Sequence, residues 1–380
     1  MKLHYNLKRA LKLLSLALAL VFCLLVLQDF VLCHADQNRE RIKGYYLEDA
    51  GSLDVVLVGA SEVYVDFASA LAYERFGFTS YPYATQSSTI LNYLAAVKEV
   101  VRTQRPKLIV IEINGALYND DKIFDKEANL RNLGDNMPLN SNKAELIRKV
   151  ATSDEIEHYV PIIKYHSVWR DDPKSQRWPQ AIIADRLRGY TYLKGARTKT
   201  KAFHKEGKIY NYTLADEQEK LPLHPRAQAA LTELLDYCRS EQLNVIFVRF
   251  PHIVGKGGLI RYKRSLTAAD LIRSYGFDYI GLDEKYDEIG LDFDSDFYNQ
   301  EHMNIRGQVK LTEYFGGYLA EHYGIGPSSL SDSQRAEWDE SARYYEAFRE
   351  LASAELKKGS KSRDMGGDLE TQEKMQKYLK

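Results

Sequence analysis

The chain has 380 residues, 52 Lys and Arg against 53 Asp and Glu, and a net charge of −1. That length suits one large domain or one domain with appendages, and a 44% hydrophobic chain with 27 tyrosines can bury a sizeable core. Basic residues are scattered rather than gathered on one stripe, which argues against nucleic acid as a partner. Cys23, Cys33 and Cys238 offer neither a metal-ligand spacing nor a disulfide framework.

The N-terminus carries Lys2, Lys8, Arg9 and Lys12 ahead of an uncharged run from Leu13 to Leu27. Positive residues before an apolar run orient the N-terminus to the cytoplasm and the bulk of the chain outside. The run is shorter than the roughly 20 residues of a full span, a deficit that snorkelling by Lys12 and local bilayer thinning offset. A cleaved signal peptide is the rival reading, but Cys33-His34-Ala35 is a poor cleavage site. The expected order is a basic cytoplasmic segment at 1–12, a transmembrane signal anchor at 13–35, and a polar tether at 36–50.

The globular part opens with a buried strand, Asp54 to Gly59, ending in Gly59-Ala60-Ser61. A helix is predicted from Val63 to Phe76, a short strand from Thr79 to Tyr83, and a helix from Ile90 to Thr103 with Leu91, Leu94, Val97 and Val101 at helical spacing. Pro106 resets the chain before a strand from Leu108 to Ile113. This alternation with continuous apolar strands predicts a parallel sheet covered on both faces. Asn119 to Leu221 is polar, aromatic and rich in turns, and reads as an insertion over the sheet edge.

The regular pattern resumes with a helix from Ala227 to Ser240, a strand from Val245 to Val248, a helix from Ala268 to Tyr275, a strand from Phe277 to Leu282 and a closing helix from Arg306 to Tyr323. Beyond 325 a charged helix containing Trp338, Tyr345, Phe348 and Leu351 precedes a disordered tail from Gly359. Gly255-Lys256-Gly257-Gly258 lacks the context of a phosphate loop.

Two places carry chemistry. Ser61 stands at the carboxyl end of the first strand, where open α/β sheets put their ligands. It is either a nucleophile or a cap for the helix that follows. His302 lies in Asp296-Phe297-Tyr298-Asn299-Gln300-Glu301-His302-Met303-Asn304, just ahead of the closing helix. An imidazole titrating near neutrality suits a general base, and Asp296 or Asn299 is the candidate to orient it. His166, with Trp169 and Arg170, either binds a sugar or phosphate or packs the insertion. Arg249 and His252 follow a strand end and either line the pocket or belong to a loop held by Pro251.

Taken together, Gly59-Ala60-Ser61 and Asn299-x-x-His302-x-Asn304-x-x-Gly307 resemble the SGNH/GDSL hydrolase superfamily. The likeness is to its membrane-anchored extracytoplasmic branch, which includes proteins similar to the D-alanine transfer protein of teichoic acid synthesis and the exopolysaccharide acetyltransferases. Phe297-Tyr298-Asn299 with His302, and Lys164-Tyr165-His166-Ser167-Val168-Trp169, look like that branch. The resemblance covers roughly 51–325. It implies a three-layer α/β sandwich around a parallel, flavodoxin-like sheet.

It further implies Ser61 as nucleophile, His302 as base, and an oxyanion hole from the Ser61 and Ala84 N–H groups with Asn114. The family's Asp, three residues before the histidine, is Asn299 here. No metal or soluble cofactor is implied. The expected function is a membrane-tethered serine O-acyltransferase or esterase acting on a cell-envelope polysaccharide or teichoic-acid-like polymer, with a multispan membrane acyltransferase as donor-side partner. The alternative is a catalytically impaired scaffold or polymer-binding partner of that acyltransferase.

Overall fold

The computed structural model describes residues 2–31, 37–153, 155–165, 192–203, 209–359, 364–365, 371 and 374–375. They fall into two compact units, Met1–Asp36 with Ser153–Arg188, and Gln37–Thr152 with Gly189–Lys380. The larger unit holds five parallel strands: β1 (Val55–Gly59), β2 (Ser80–Ala84), β3 (Leu108–Glu112), β4 (Val245–Arg249) and β5 (Asp278–Gly281), in the order β2-β1-β3-β4-β5. The first four are buried at every position, as strands sandwiched between two helical layers must be.

Alternate residues face opposite layers. Val56, Val58, Ile109, Ile111 and Phe247 pack toward helices α5 (Ile90–Thr103) and α8 (Pro225–Ser240). Val55, Leu57, Val110, Ile246 and Val248 pack toward α3 (Ser61–Asp66) and α10 (Ile305–Tyr323). The fold is a mixed α/β arrangement with a parallel sheet flanked by helices. Chain connections leave β1 toward β2 on one side and return through β3 on the other. The carboxyl ends of β1 and β3 therefore form the crevice where such sheets bind ligands.

Several expectations are corrected. The single helix from Val63 to Phe76 is two, α3 and α4 (Ser69–Phe76), because Phe67 and Ala68 are extended. Thr312 Oγ1 accepts the N–H that Ala68 would otherwise give to a helical carbonyl, at 3.0 Å, and Phe67 is buried edge-on against Phe315. The tether is largely helix α2 (Gln37–Tyr45), with Ile42, Tyr45 and Arg41 buried. The 119–221 stretch is not one cap. Helices α6 (Glu127–Gly134) and α7 (Ser141–Val150) bury Leu130, Leu133, Leu146 and Val150 in the same core as α5, whereas Ser153–Arg188 belongs to the smaller unit.

Helix α9 (Lys256–Ser274) starts twelve residues before the predicted Ala268, straight through the glycines at 257 and 258. The C-terminal helix α11 (Asp332–Lys357) opens with a Ser331–Gln334 capping box and buries Trp338, Tyr345 and Phe348. Asp364–Met365, expected in a disordered tail, pairs antiparallel with Thr198–Lys199, and Met365 is buried.

The smaller unit contains α1 (Lys2–Val31) and two four-residue helices, Ile156–Tyr159 and Ile162–Tyr165. Among the described residues no helix is long and apolar enough to cross a membrane. The α1 side chains Leu13, Leu14, Leu16, Leu18, Leu20 and Phe22 are all exposed, and at 100° per residue they leave bare one side of the helix, which carries Lys8, Lys12, Ser15 and Ala19.

Candidate active site

β1 is followed by Ala60 in extended conformation, and Ser61 then opens α3. The corner needs a small residue. A Cβ on Gly59 would meet Val63 Cγ2 at 2.5 Å and Glu112 Cβ at 3.0 Å. Ser61 is half-buried, its hydroxyl at the carboxyl edge of the sheet. His302 reaches it from 241 residues away, with Nε2 2.7 Å from Ser61 Oγ.

The His302 loop is built to hold that ring. Phe297 and Met303 form an antiparallel bridge, and the Tyr298 N–H donates to the His302 carbonyl at 2.8 Å. Asn304 caps α10 by accepting the Arg306 N–H at 2.9 Å, while its amide donates to the Ser295 carbonyl at 2.7 Å. Gly307 lets the helix approach: a Cβ there would clash with the Asp296 carbonyl oxygen and lie 2.8 Å from Met303 Cβ.

Asn299 Oδ1 accepts the N–H groups of Glu301 and His302, both at 2.8 Å, and lies 3.1 Å from His302 Nδ1. Those two backbone donors identify the atom as the amide oxygen. Nδ1 therefore carries the proton, and Nε2 presents a lone pair to the serine hydroxyl. Of the two candidates to orient the ring, Asn299 is the one in contact. Asp296 is turned away. Its Oδ2 takes the Asp292 N–H at 2.8 Å and the Lys310 ammonium at 2.7 Å, and its Oδ1 takes the Ser295 hydroxyl at 3.1 Å. The lysine on the next turns of α10 competes for the carboxylate, so Asp296 anchors the loop instead of touching His302.

Ala84, the last residue of β2, sits beside Gly59 in the parallel register, and its carbonyl accepts from Arg41 Nη1 at 3.2 Å. The Arg41 guanidinium also stacks 3.1 Å above the Tyr64 ring and donates to the Gly195 carbonyl. Asn114 begins the turn after β3, fully buried, with its amide nitrogen 2.5 Å from Glu62 Oε1. Ser61, Ala84 and Asn114 thus stand at the carboxyl ends of three adjacent strands.

Arg249 does not join them as a surface group. It is 1% exposed and sealed in an ion pair with the equally buried Asp283. The expected pocket-lining role is incompatible with that burial. His252 is likewise buried, its Nδ1 2.7 Å from the Phe250 carbonyl. His166 lies outside the described residues.

Charged residues missed by the sequence reading lie directly behind the serine. Glu62 is 2% exposed, with Oε1 3.6 Å from His252 Nε2. Burial would raise its pKa, but the imidazoles of His252 and His302 outweigh burial and hold it down at about 2. Two neighbours go the other way. Glu112, whose carboxylate oxygens face the Asn114 N–H at 3.0 Å, is pushed well above the usual range by burial and by Glu62. Asp66, at the end of α3, is raised well above its usual value by burial, against the Met303 N–H bond, with Glu62 adding to the rise. His252 is lowered, first by burial. The signal for this group was a Glu and an Asp set among the apolar residues of Glu62-Val63-Tyr64-Val65-Asp66, right after a buried strand.

Among the described residues no cluster of His, Cys, Asp and Glu could hold a metal ion. A groove of about 450 Å³ lined by Leu94, Lys98, Glu233, Asp236 and Tyr237 shares no residue with the serine–histidine site. No protein-family model matches the chain, and no curated protein matches it.

Proposed function

We propose that the chain is a serine O-acyltransferase or esterase of SGNH/GDSL type, with Ser61 as nucleophile and His302 as general base. The observation that carries this reading is the 2.7 Å contact between Ser61 Oγ and His302 Nε2 at a half-exposed sheet edge. The β2-β1-β3-β4-β5 order supports the finer assignment of the sheet as flavodoxin-like.

In this reading Ser61 Oγ attacks an acyl carbonyl while its proton passes to Nε2. Asn299 holds the ring through Nδ1–H. The Ser61 and Ala84 N–H groups and the second amide hydrogen of Asn114 receive the oxyanion. The tetrahedral intermediate expels the oxygen or sulfur leaving group of the donor, which takes the proton from Nε2. The acyl-serine then passes its acyl group to an acceptor hydroxyl, whose proton goes to His302 and on to the departing Ser61 Oγ. A sugar hydroxyl of an envelope polysaccharide or teichoic-acid-like polymer is the acceptor, or water in the esterase case, and a multispan membrane acyltransferase is the donor-side partner. The basic residues in the first turns of α1 and its exposed apolar side chains support a membrane anchor with the α/β unit outside.

One observation favours a scaffold instead. Asn299 orients the ring but brings no charge to stabilise an imidazolium. The two readings separate in one assay. The full chain in detergent is given a chromogenic acyl ester with and without an oligosaccharide acceptor. The enzyme reading expects ester consumption that Ser61→Ala abolishes, and acylated acceptor if it is a transferase. A folded chain that consumes ester no faster than Ser61→Ala is a scaffold.

A further inference from the structure

Resting on the serine–histidine reading, we propose that Glu62 is a positioning residue of this site, the buried anionic carboxylate that supplies His302 with the negative charge Asn299 lacks. In a Ser-His-Asp triad the acid does two jobs: it fixes the tautomer and orientation of the ring, and it stabilises the imidazolium. Here Asn299 Oδ1 does the first through its 3.1 Å contact with Nδ1. An amide cannot do the second.

Glu62 is placed for it. It follows Ser61 immediately, and consecutive Cα atoms are about 3.8 Å apart, while Ser61 Oγ itself touches His302. The carboxylate is out of water, so its field is weakly screened. Its Oε1 is held by the Asn114 amide at 2.5 Å.

The surrounding charges leave Glu62 as the source. On its own helix Asp66 is pushed toward the neutral form by burial, and at the end of β3 so is Glu112. From the end of β4, Arg249 is neutralised by Asp283, and His252 is lowered by burial. From α9, Arg261 is paired with Glu301 of the His302 loop. Asp296 is paired with Lys310. One carboxylate of the buried group therefore stays charged, and it is the one next to the nucleophile. The contact with His252, whose Nε2 lies 3.6 Å from Glu62 Oε1, and the nearby His302 together hold the carboxylate low against burial, and the attraction between Glu62 and His302 favours the imidazolium.

The test reads His302 directly. The full chain in detergent, with its nine histidines labelled at Cε1, is titrated by NMR, and the His302 resonance is identified by its loss in His302→Gln. Glu62→Gln is expected to lower the His302 midpoint by about one pH unit or more. Glu62→Asp keeps the charge and stays nearer wild type than Gln does. A purely structural role predicts the reverse order, because Gln preserves size and the Asn114 bond. If Gln prevents folding, Glu62→Asn removes the same charge with a shorter side chain. An unmoved midpoint in the neutral variants overturns the inference. Reaction of the same samples with a fluorophosphonate separates the two claims. Labelling at Ser61 with no midpoint shift leaves the serine reading and removes the role of Glu62. A midpoint shift without labelling does the opposite.

Discussion

The Asp66 carboxyl accepts the backbone N–H of Met303 at 2.8 Å, so the end of the helix that begins with Ser61 is bonded to the residue after His302. Gln308 adds a second tie, donating to the Val65 carbonyl at 2.6 Å. The two halves of the site, 241 positions apart at Ser61 and His302, are held together by these side-chain-to-backbone bonds as well as by the contact of Ser61 with His302.

Asp66 gives the first prediction. Its pKa is raised in the fold by burial, so the folded state keeps a proton that the unfolded chain loses near 3.8. Stability must then fall as pH rises from 3.8 toward the folded value, because the native state binds more protons there. Asp66→Asn keeps the acceptor oxygen for Met303 and removes the titration. Its urea midpoint relative to wild type should therefore improve between pH 4 and pH 8. Asp66→Ala leaves the Met303 N–H buried without this partner and should cost about 1–3 kcal/mol near pH 4, a cost that shrinks toward pH 8 as the wild type loses stability. A pH-independent difference between wild type and Asp66→Asn would contradict the assignment.

Asn299→Asp should raise the rate of serine modification about tenfold, because it places a charge beside the Nδ1 proton that an amide only accepts. The acid limb of the pH–rate profile should move to higher pH, since a nearby anion favours the imidazolium. Asn299→Ala should slow the reaction at every pH by releasing the ring. Stopped-flow labelling of the three proteins checks both. An Asp variant slower than wild type would show that the loop is not organised around this contact.

Gly59→Ala should cost about 1–3 kcal/mol, because the corner behind Ser61 has no room for a Cβ between Val63 and Glu112. Gly257→Ala, where a Cβ meets nothing within 4 Å and the residue lies in the first turn of α9, should be neutral or stabilising. Denaturant midpoints of the pair give the comparison, and equal costs would contradict the packing described at the corner.

These residues also mark where the sequence is readable. β1, β3 and α5 announce themselves because buried parallel strands are continuous apolar runs and α5 carries its apolar residues at helical spacing. The serine corner and the late histidine are readable as chemistry, and they do meet. What resists reading is the destination of polar groups. Nothing in the spacing reveals that Lys310 captures Asp296, or that Asp283 seals Arg249 into the interior.

Glu62 and Asp66 are charged residues in a short helix, and nothing local announces that both are buried. Gln37–Tyr45 reads as a polar tether because its charge hides Ile42 and Tyr45, which pack into the core. The break at Phe67 and Ala68 and the early start of α9 through two glycines are set by tertiary partners that outweigh local propensity.

The most direct measurement of the account is the mass of the full chain after reaction with a fluorophosphonate, followed by peptide mapping. The account predicts one adduct, on Ser61, absent in Ser61→Ala and formed about 10²- to 10⁴-fold more slowly in His302→Ala. A folded chain that gains no adduct, or gains one that Ser61→Ala leaves in place, would contradict it.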